Sequence, residues 1–208
     1  MVGAKKLSFT GVRKYIAVAV LFEAIYWLGI LPYSIQNVAT QRSPLILFVG
    51  FLIQIIVAGP LLAILSVRIW KYKAETRNNL IKWGCLAGIG YIFGMWINNI
   101  LRWFGMSGQR GLADLFTGIT TLGFLNTAVT LTLSLAFAIA GSYIAIKRNN
   151  RKLAVQLLGL AILLFGLHFA FYIIYSWFAP NVWRFILLTE IWPVPLVGLG
   201  IGMLKGKV

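Results

Sequence analysis

Acidic residues are nearly missing from this chain: 4 Asp and Glu stand against 19 Lys and Arg in 208 residues. So few carboxylates leave no material for an acidic two-metal centre, and no Asp-rich motif of lipid-headgroup transferases occurs. A single histidine excludes an internal bis-histidine haem and the usual His-rich di-iron or copper sites. A single cysteine, Cys85, excludes an internal disulfide and any multi-cysteine metal site. Cys85 lies in an apolar stretch and reads as a packing residue. Charge of either sign is scarce, at 11% of residues, where soluble domains carry about a quarter. A chain with so little polar material cannot cover a water-facing surface.

Catalytic signatures are missing too. No serine nucleophile elbow is present. The run Gly198-Leu-Gly-Ile-Gly202 lacks the strand-and-helix context of a phosphate-binding loop. The sequence therefore assigns no catalytic residue, no metal and no cofactor.

What is present is apolar, at 60% of residues, with a net charge of +15. In a soluble protein such a charge would suggest nucleic acid. Here the basic residues sit between apolar runs, so nucleic acid is not an expected partner. Lipid is, with anionic headgroups against the basic face.

A helix that crosses a bilayer needs about 20 apolar residues. Runs of that kind predict six helices, at 15–36, 45–67, 83–101, 124–146, 153–178 and 183–204, forming one all-α polytopic membrane bundle. The first has a basic start, but its apolar run is too long for a signal peptide and contains Glu23, so it is expected to remain as a helix.

Basic residues give the orientation. Lys5, Lys6, Arg13 and Lys14 precede the first span. Arg68, Lys71, Lys73, Arg77 and Lys82 link the second and third. Lys147, Arg148, Arg151 and Lys152 link the fourth and fifth, and Lys205 and Lys207 follow the sixth. Only Arg42, Arg102, Arg110 and Arg184 fall on the other side. This alternation predicts both termini in the cytoplasm and a multi-pass protein of the cell membrane. Aromatic residues form the matching belts: Tyr15, Trp70, Tyr72, Trp83 and Tyr143 inside, with Tyr33, Trp103, Trp177 and Trp183 outside.

Residues 111–124 exceed what the fourth span requires. With Asp114, Thr117, Thr120 and Thr121 they read as an interfacial helix or a re-entrant loop. In the third span, Gly84-x-x-x-Gly88 and Gly90-x-x-x-Gly94 suit close helix approach and a central position.

Ionisable groups inside a membrane cost roughly 2.5–3.5 kcal/mol each at a helix centre and are functional candidates by default. Glu23, His168 and Glu190 are the three. At 1.5 Å per residue, Glu23 lies about 12 Å from the inner edge, His168 about 15 Å from the outer edge and Glu190 about 9 Å from it. A Glu190–His168–Glu23 relay, or a Glu23–His168 pair, is the sharp reading. Hydrogen-bonded structural residues are the plain one. In Glu190-Ile-Trp-Pro193-Val-Pro195 the two prolines remove backbone donors beside a carboxylate, and Pro60 does the same to the second span. Asn98, Asn99 and Arg102 of the third span and Asn126 of the fourth are placed in a polar outer vestibule. The expected function is that of a small transporter or channel for an ion or small solute. The alternative is a non-catalytic subunit or assembly factor of a membrane complex. Other membrane subunits or a second copy of the chain are the partners these readings admit.

Overall fold

The computed structural model describes residues 9–39, 45–110, 123–148, 150–177 and 193–206. Among the described residues there is no strand. Six helices follow one another: α1 (Phe9–Ala39), α2 (Leu45–Trp70), α3 (Arg77–Arg110), α4 (Gly123–Lys147), α5 (Arg151–Trp177) and α6 (Pro193–Leu204). Each packs on the next in chain order. α1 to α4 run past the predicted spans at one or both ends because the polar residues there, such as Arg77-Asn-Asn, are compatible with helix. An apolar run measures the lipid core, not the helix.

Among the described residues, four helices contain a stretch long and apolar enough to cross a membrane: Phe48–Trp70, Arg77–Leu101, Gly123–Lys147 and Arg151–Phe171. The class is therefore an all-helical, multi-pass membrane protein. α1 spans 31 residues, ample in length, but places Arg13, Lys14 and Glu23 in its first half. The described part of α6 has 12 residues, about 18 Å of helix.

Burial agrees with lipid as the solvent. The core joins Ala24 and Trp27 of α1, Ile55 and Leu62 of α2, Met95 of α3, Leu131 of α4 and Phe165 of α5. Large apolar side chains also cover the outside, with Phe22 68% and Ile56 61% exposed. In water such a surface would drive aggregation. In a bilayer it costs nothing, and contact between helices then relies on close packing and internal hydrogen bonds.

Glycines supply the close packing. In α3, Gly90 and Gly94 face α2, and a Cβ on Gly94 would lie 3.1 Å from the Gln54 Cα. Gly84 and Gly88, the other half of the predicted small-residue face, have nothing within 4 Å. Among the described glycines, the closest approach to backbone atoms of another helix is between α5 and α6. A Cβ on Gly200 would lie 2.8 Å from both the Gly159 carbonyl oxygen and the Leu163 nitrogen.

The chain turns tightly between α2 and α3. The Thr76 hydroxyl donates to the Lys73 carbonyl at 2.8 Å and accepts from the Lys73 N–H at 3.1 Å, leading into a single 3-10 turn over Ala74–Thr76. Asn150 opens α5, its Oδ1 accepting the Leu153 N–H at 3.2 Å. α2 continues as one helix through Pro60, and α1 continues through Pro32, which the span prediction passed over. Pro193 and Pro195 fall in the first turn of the described part of α6, where a proline is well tolerated.

Candidate functional site

The polar side chains on facing helices collect in three groups. The first surrounds Glu23. Its Oε1 accepts the Trp27 indole N–H at 2.9 Å from one turn along α1. It also accepts the Tyr91 hydroxyl at 2.8 Å from α3. Residues four apart on a helix stand above one another, which explains Trp27. Tyr91 is a tertiary partner, 68 residues away in sequence. Edge-to-face ring contacts extend this group: Trp27 on Tyr91 at 6.3 Å and Tyr91 on Phe165 of α5 at 5.8 Å.

The second group joins α2 to α3. Asn98 Nδ2 donates to Gln54 Oε1 at 2.8 Å, and Gln54 Nε2 contacts the Met95 sulfur. Asn99 Nδ2 turns back to the Met95 carbonyl at 2.8 Å. Gln54, Asn98 and Asn99 are all buried. The predicted outer vestibule thus places two of its asparagines inside the bundle, where their polar atoms are satisfied by the protein. Arg102 follows on α3, one turn beyond Asn98.

The third group joins α4 to α5 around His168, which has no exposed surface. Asn126 Nδ2 lies 3.2 Å from His168 Nδ1 and donates to the His168 carbonyl at 3.2 Å. The Thr130 hydroxyl lies 3.2 Å from the same ring nitrogen and donates back to the Asn126 carbonyl. These residues sit on an irregularity. From Thr127 to Leu131, α4 widens into a π-helical turn, with Asn126 at its start. Such turns shift the hydrogen-bond register by one residue and recur at functional sites. Asn126, assigned from sequence to the vestibule, is therefore a partner of His168.

The structure does not pair Glu23 with His168. Glu23 bonds to Trp27 and Tyr91, and the rings of Phe165 and Phe169 (5.0 Å apart) lie between Tyr91 and His168. Phe169 stands edge-on to His168 at 4.9 Å. Glu190, the third member of the predicted relay, lies outside the described residues, as do residues 111–122 of the predicted interfacial or re-entrant segment.

Trp27, one turn on from Glu23, is within reach of a sequence reading by its four-residue spacing. Sequence reasoning missed Tyr91, Gln54 and Thr130 as partners, because those three pairings depend on which helix faces which. Among the described residues, no cluster of three or more His, Cys, Asp or Glu is placed to hold a metal ion. Compared with protein-family models, curated proteins and solved structures, the chain matches none.

Proposed function

We propose that this chain is a six-span protein of the cell membrane, with both termini in the cytoplasm, that passes a proton or small cation through its polar interior. The orientation rests on the basic residues and on how α1, α2 and α3 meet at one end. There Arg13 donates to the Tyr72 carbonyl, and the Lys14 ammonium lies 5.5 Å from the centre of the Trp70 ring. The Arg68 guanidinium lies 5.7 Å from the centre of the Trp83 ring. Snorkelling bases over aromatic rings suit a headgroup interface.

The observation that carries transport is the fully buried His168, held by Asn126 and Thr130 on a π turn. An ionisable ring beside a helical irregularity in a membrane core has a switchable proton site and backbone able to rearrange. Purified protein in liposomes, loaded with a pH-reporting dye and then given a proton or sodium gradient, tests it. Wild type is expected to dissipate one gradient at least about tenfold faster than protein-free vesicles, and His168→Ala and Glu23→Gln to lose that excess. Wild-type flux no faster than in protein-free vesicles overturns the reading.

A second reading, as a non-catalytic subunit or assembly factor of a membrane complex, draws on one observation. Gly84 and Gly88 present an unfilled face of α3, of the sort membrane helices use to approach a partner. A stoichiometric set of proteins co-purifying from native membranes would favour it over stand-alone transport.

A further inference from the structure

Arg151, Lys152 and Lys205, at the end where α5 begins and α6 finishes, line one groove. Its volume is about 620 Å³, close to the roughly 590 Å³ of the α2–α3 groove at the same basic end. All three bases are exposed, and among the described residues no carboxylate lines the groove. The rest of its lining is mainly apolar, Val155 of α5 with Met203 and Leu204 of α6, joined by Gln156 and Gly206. Below the groove the two helices close on each other over Gly159 and Gly200.

A groove with three positive groups at its mouth and hydrocarbon along its side matches one kind of molecule. The occupant carries a negative phosphate next to an alkyl chain. Free phosphate satisfies only the rim, and a neutral lipid satisfies only the wall. The α2–α3 groove offers Arg68 and Lys71, but there Arg68 is already engaged with the Trp83 ring.

We propose that the groove between α5 and α6 binds one anionic phospholipid, its phosphate among Arg151, Lys152 and Lys205 and its acyl chain against Val155, Met203 and Leu204. Basic residues clustered between helices at the cytoplasmic side recognise anionic headgroups in this way. The site rests on the six-span reading only in placing this rim at a membrane–water interface.

The test uses the delipidated full chain in detergent, titrated with dioleoylphosphatidylglycerol or dioleoylphosphatidylcholine and followed by native mass spectrometry. Wild type is expected to retain one phosphatidylglycerol at least about tenfold more tightly than phosphatidylcholine. The triple variant R151Q/K152Q/K205Q is expected to bind phosphatidylglycerol about a hundredfold more weakly, each base near the surface contributing roughly fivefold. Lys205→Gln alone, beyond the end of α6, retains the fold and is expected to weaken binding about fivefold. Val155→Trp keeps every charge, fills the apolar wall and is expected to reduce retention as well. Equal binding of the two lipids, or unchanged retention in Lys205→Gln and the triple variant, overturns the site. Displacement of the lipid by equimolar inorganic phosphate assigns the rim to a free anion and overturns the lipid. Sidedness does not enter a detergent measurement, so labelling of cysteines at the termini in intact cells tests the orientation separately.

Discussion

The α5–α6 and α2–α3 interfaces both close over glycine, but they hold together differently. Between α5 and α6, Gly159, Gly166 and Gly200 let backbone meet backbone. Between α2 and α3, Gly90 meets the ends of the Leu61 and Val57 side chains, and Gly94 meets the Gln54 backbone. The second interface then adds the Asn98–Gln54 hydrogen bond. In lipid, apolar surface alone gives helices no reason to leave their solvent, so dispersion between close backbones and polar contacts must supply it. One interface leans on the first means, and the other combines both. The first should tolerate no added atom. The second should yield in smaller steps.

The largest effect is therefore expected at Gly200. Its added Cβ would meet Gly159 and Leu163 at 2.8 Å, and two of those contacts are backbone atoms that cannot rotate away. Gly200→Ala should destabilise by about 1–3 kcal/mol, the usual cost of overpacking. Gly198→Ala, two residues earlier with nothing within 4 Å, should not. Unfolding in mixed micelles of increasing SDS content, followed by circular dichroism, measures both. Equal stability of the two variants would refute the backbone contact.

Next comes the α2–α3 pair of glycines. Gly94→Ala meets the Gln54 Cα at 3.1 Å, a distance that a small helix shift can relieve. A loss of about 1 kcal/mol is expected, at the low end of overpacking costs. Gly88→Ala, open to its surroundings, should instead gain up to about 0.5–1 kcal/mol from helix propensity. If Gly88→Ala destabilises the protein in its native membrane but not in detergent, a partner covers that face.

The glue of that interface is separable from its packing by a double-mutant cycle on Gln54→Leu and Asn98→Leu. Side-chain hydrogen bonds in membrane bundles couple by about 0.6 kcal/mol on average and about 1.7 at most. A coupling within that range supports the observed bond. Zero coupling would leave the glycines as the only specific feature of both interfaces.

How much of this was legible beforehand depends on whether a feature is local. Helices were legible because uninterrupted apolar runs such as Leu45 to Val67 alternate with basic links. Gly84, Gly88, Gly90 and Gly94 of α3 stood out by spacing, yet spacing could not tell that Gly90 and Gly94 face α2 while Gly84 and Gly88 do not. That depends on rotation about the helix axis. Gly159 and Gly200 belong to different helices and share no motif. Glu23 and His168 were legible as anomalies, since ionisable groups are rare in apolar spans. Their partners were not, because His168 meets Asn126 from 42 residues away. The π turn at Thr127–Leu131 left no distinctive composition to read.

A last comparison separates two buried serines of α4, one satisfied by the fold and one not. The Ser134 hydroxyl donates to the Ala161 carbonyl of α5 at 2.7 Å. The Ser142 hydroxyl is buried without a hydrogen-bond partner. Removing a made bond costs about 0.5–1.5 kcal/mol, while removing an unsatisfied buried hydroxyl relieves a desolvation penalty. Ser134→Ala should therefore lower stability by about 1 kcal/mol, and Ser142→Ala should leave it unchanged or raise it slightly. Both are read from the same SDS unfolding curves. A loss at Ser142 equal to that at Ser134 would show that its hydroxyl has a partner in the bilayer. The polar interior would then reach closer to the basic end than the three groups around Glu23, Gln54 and His168.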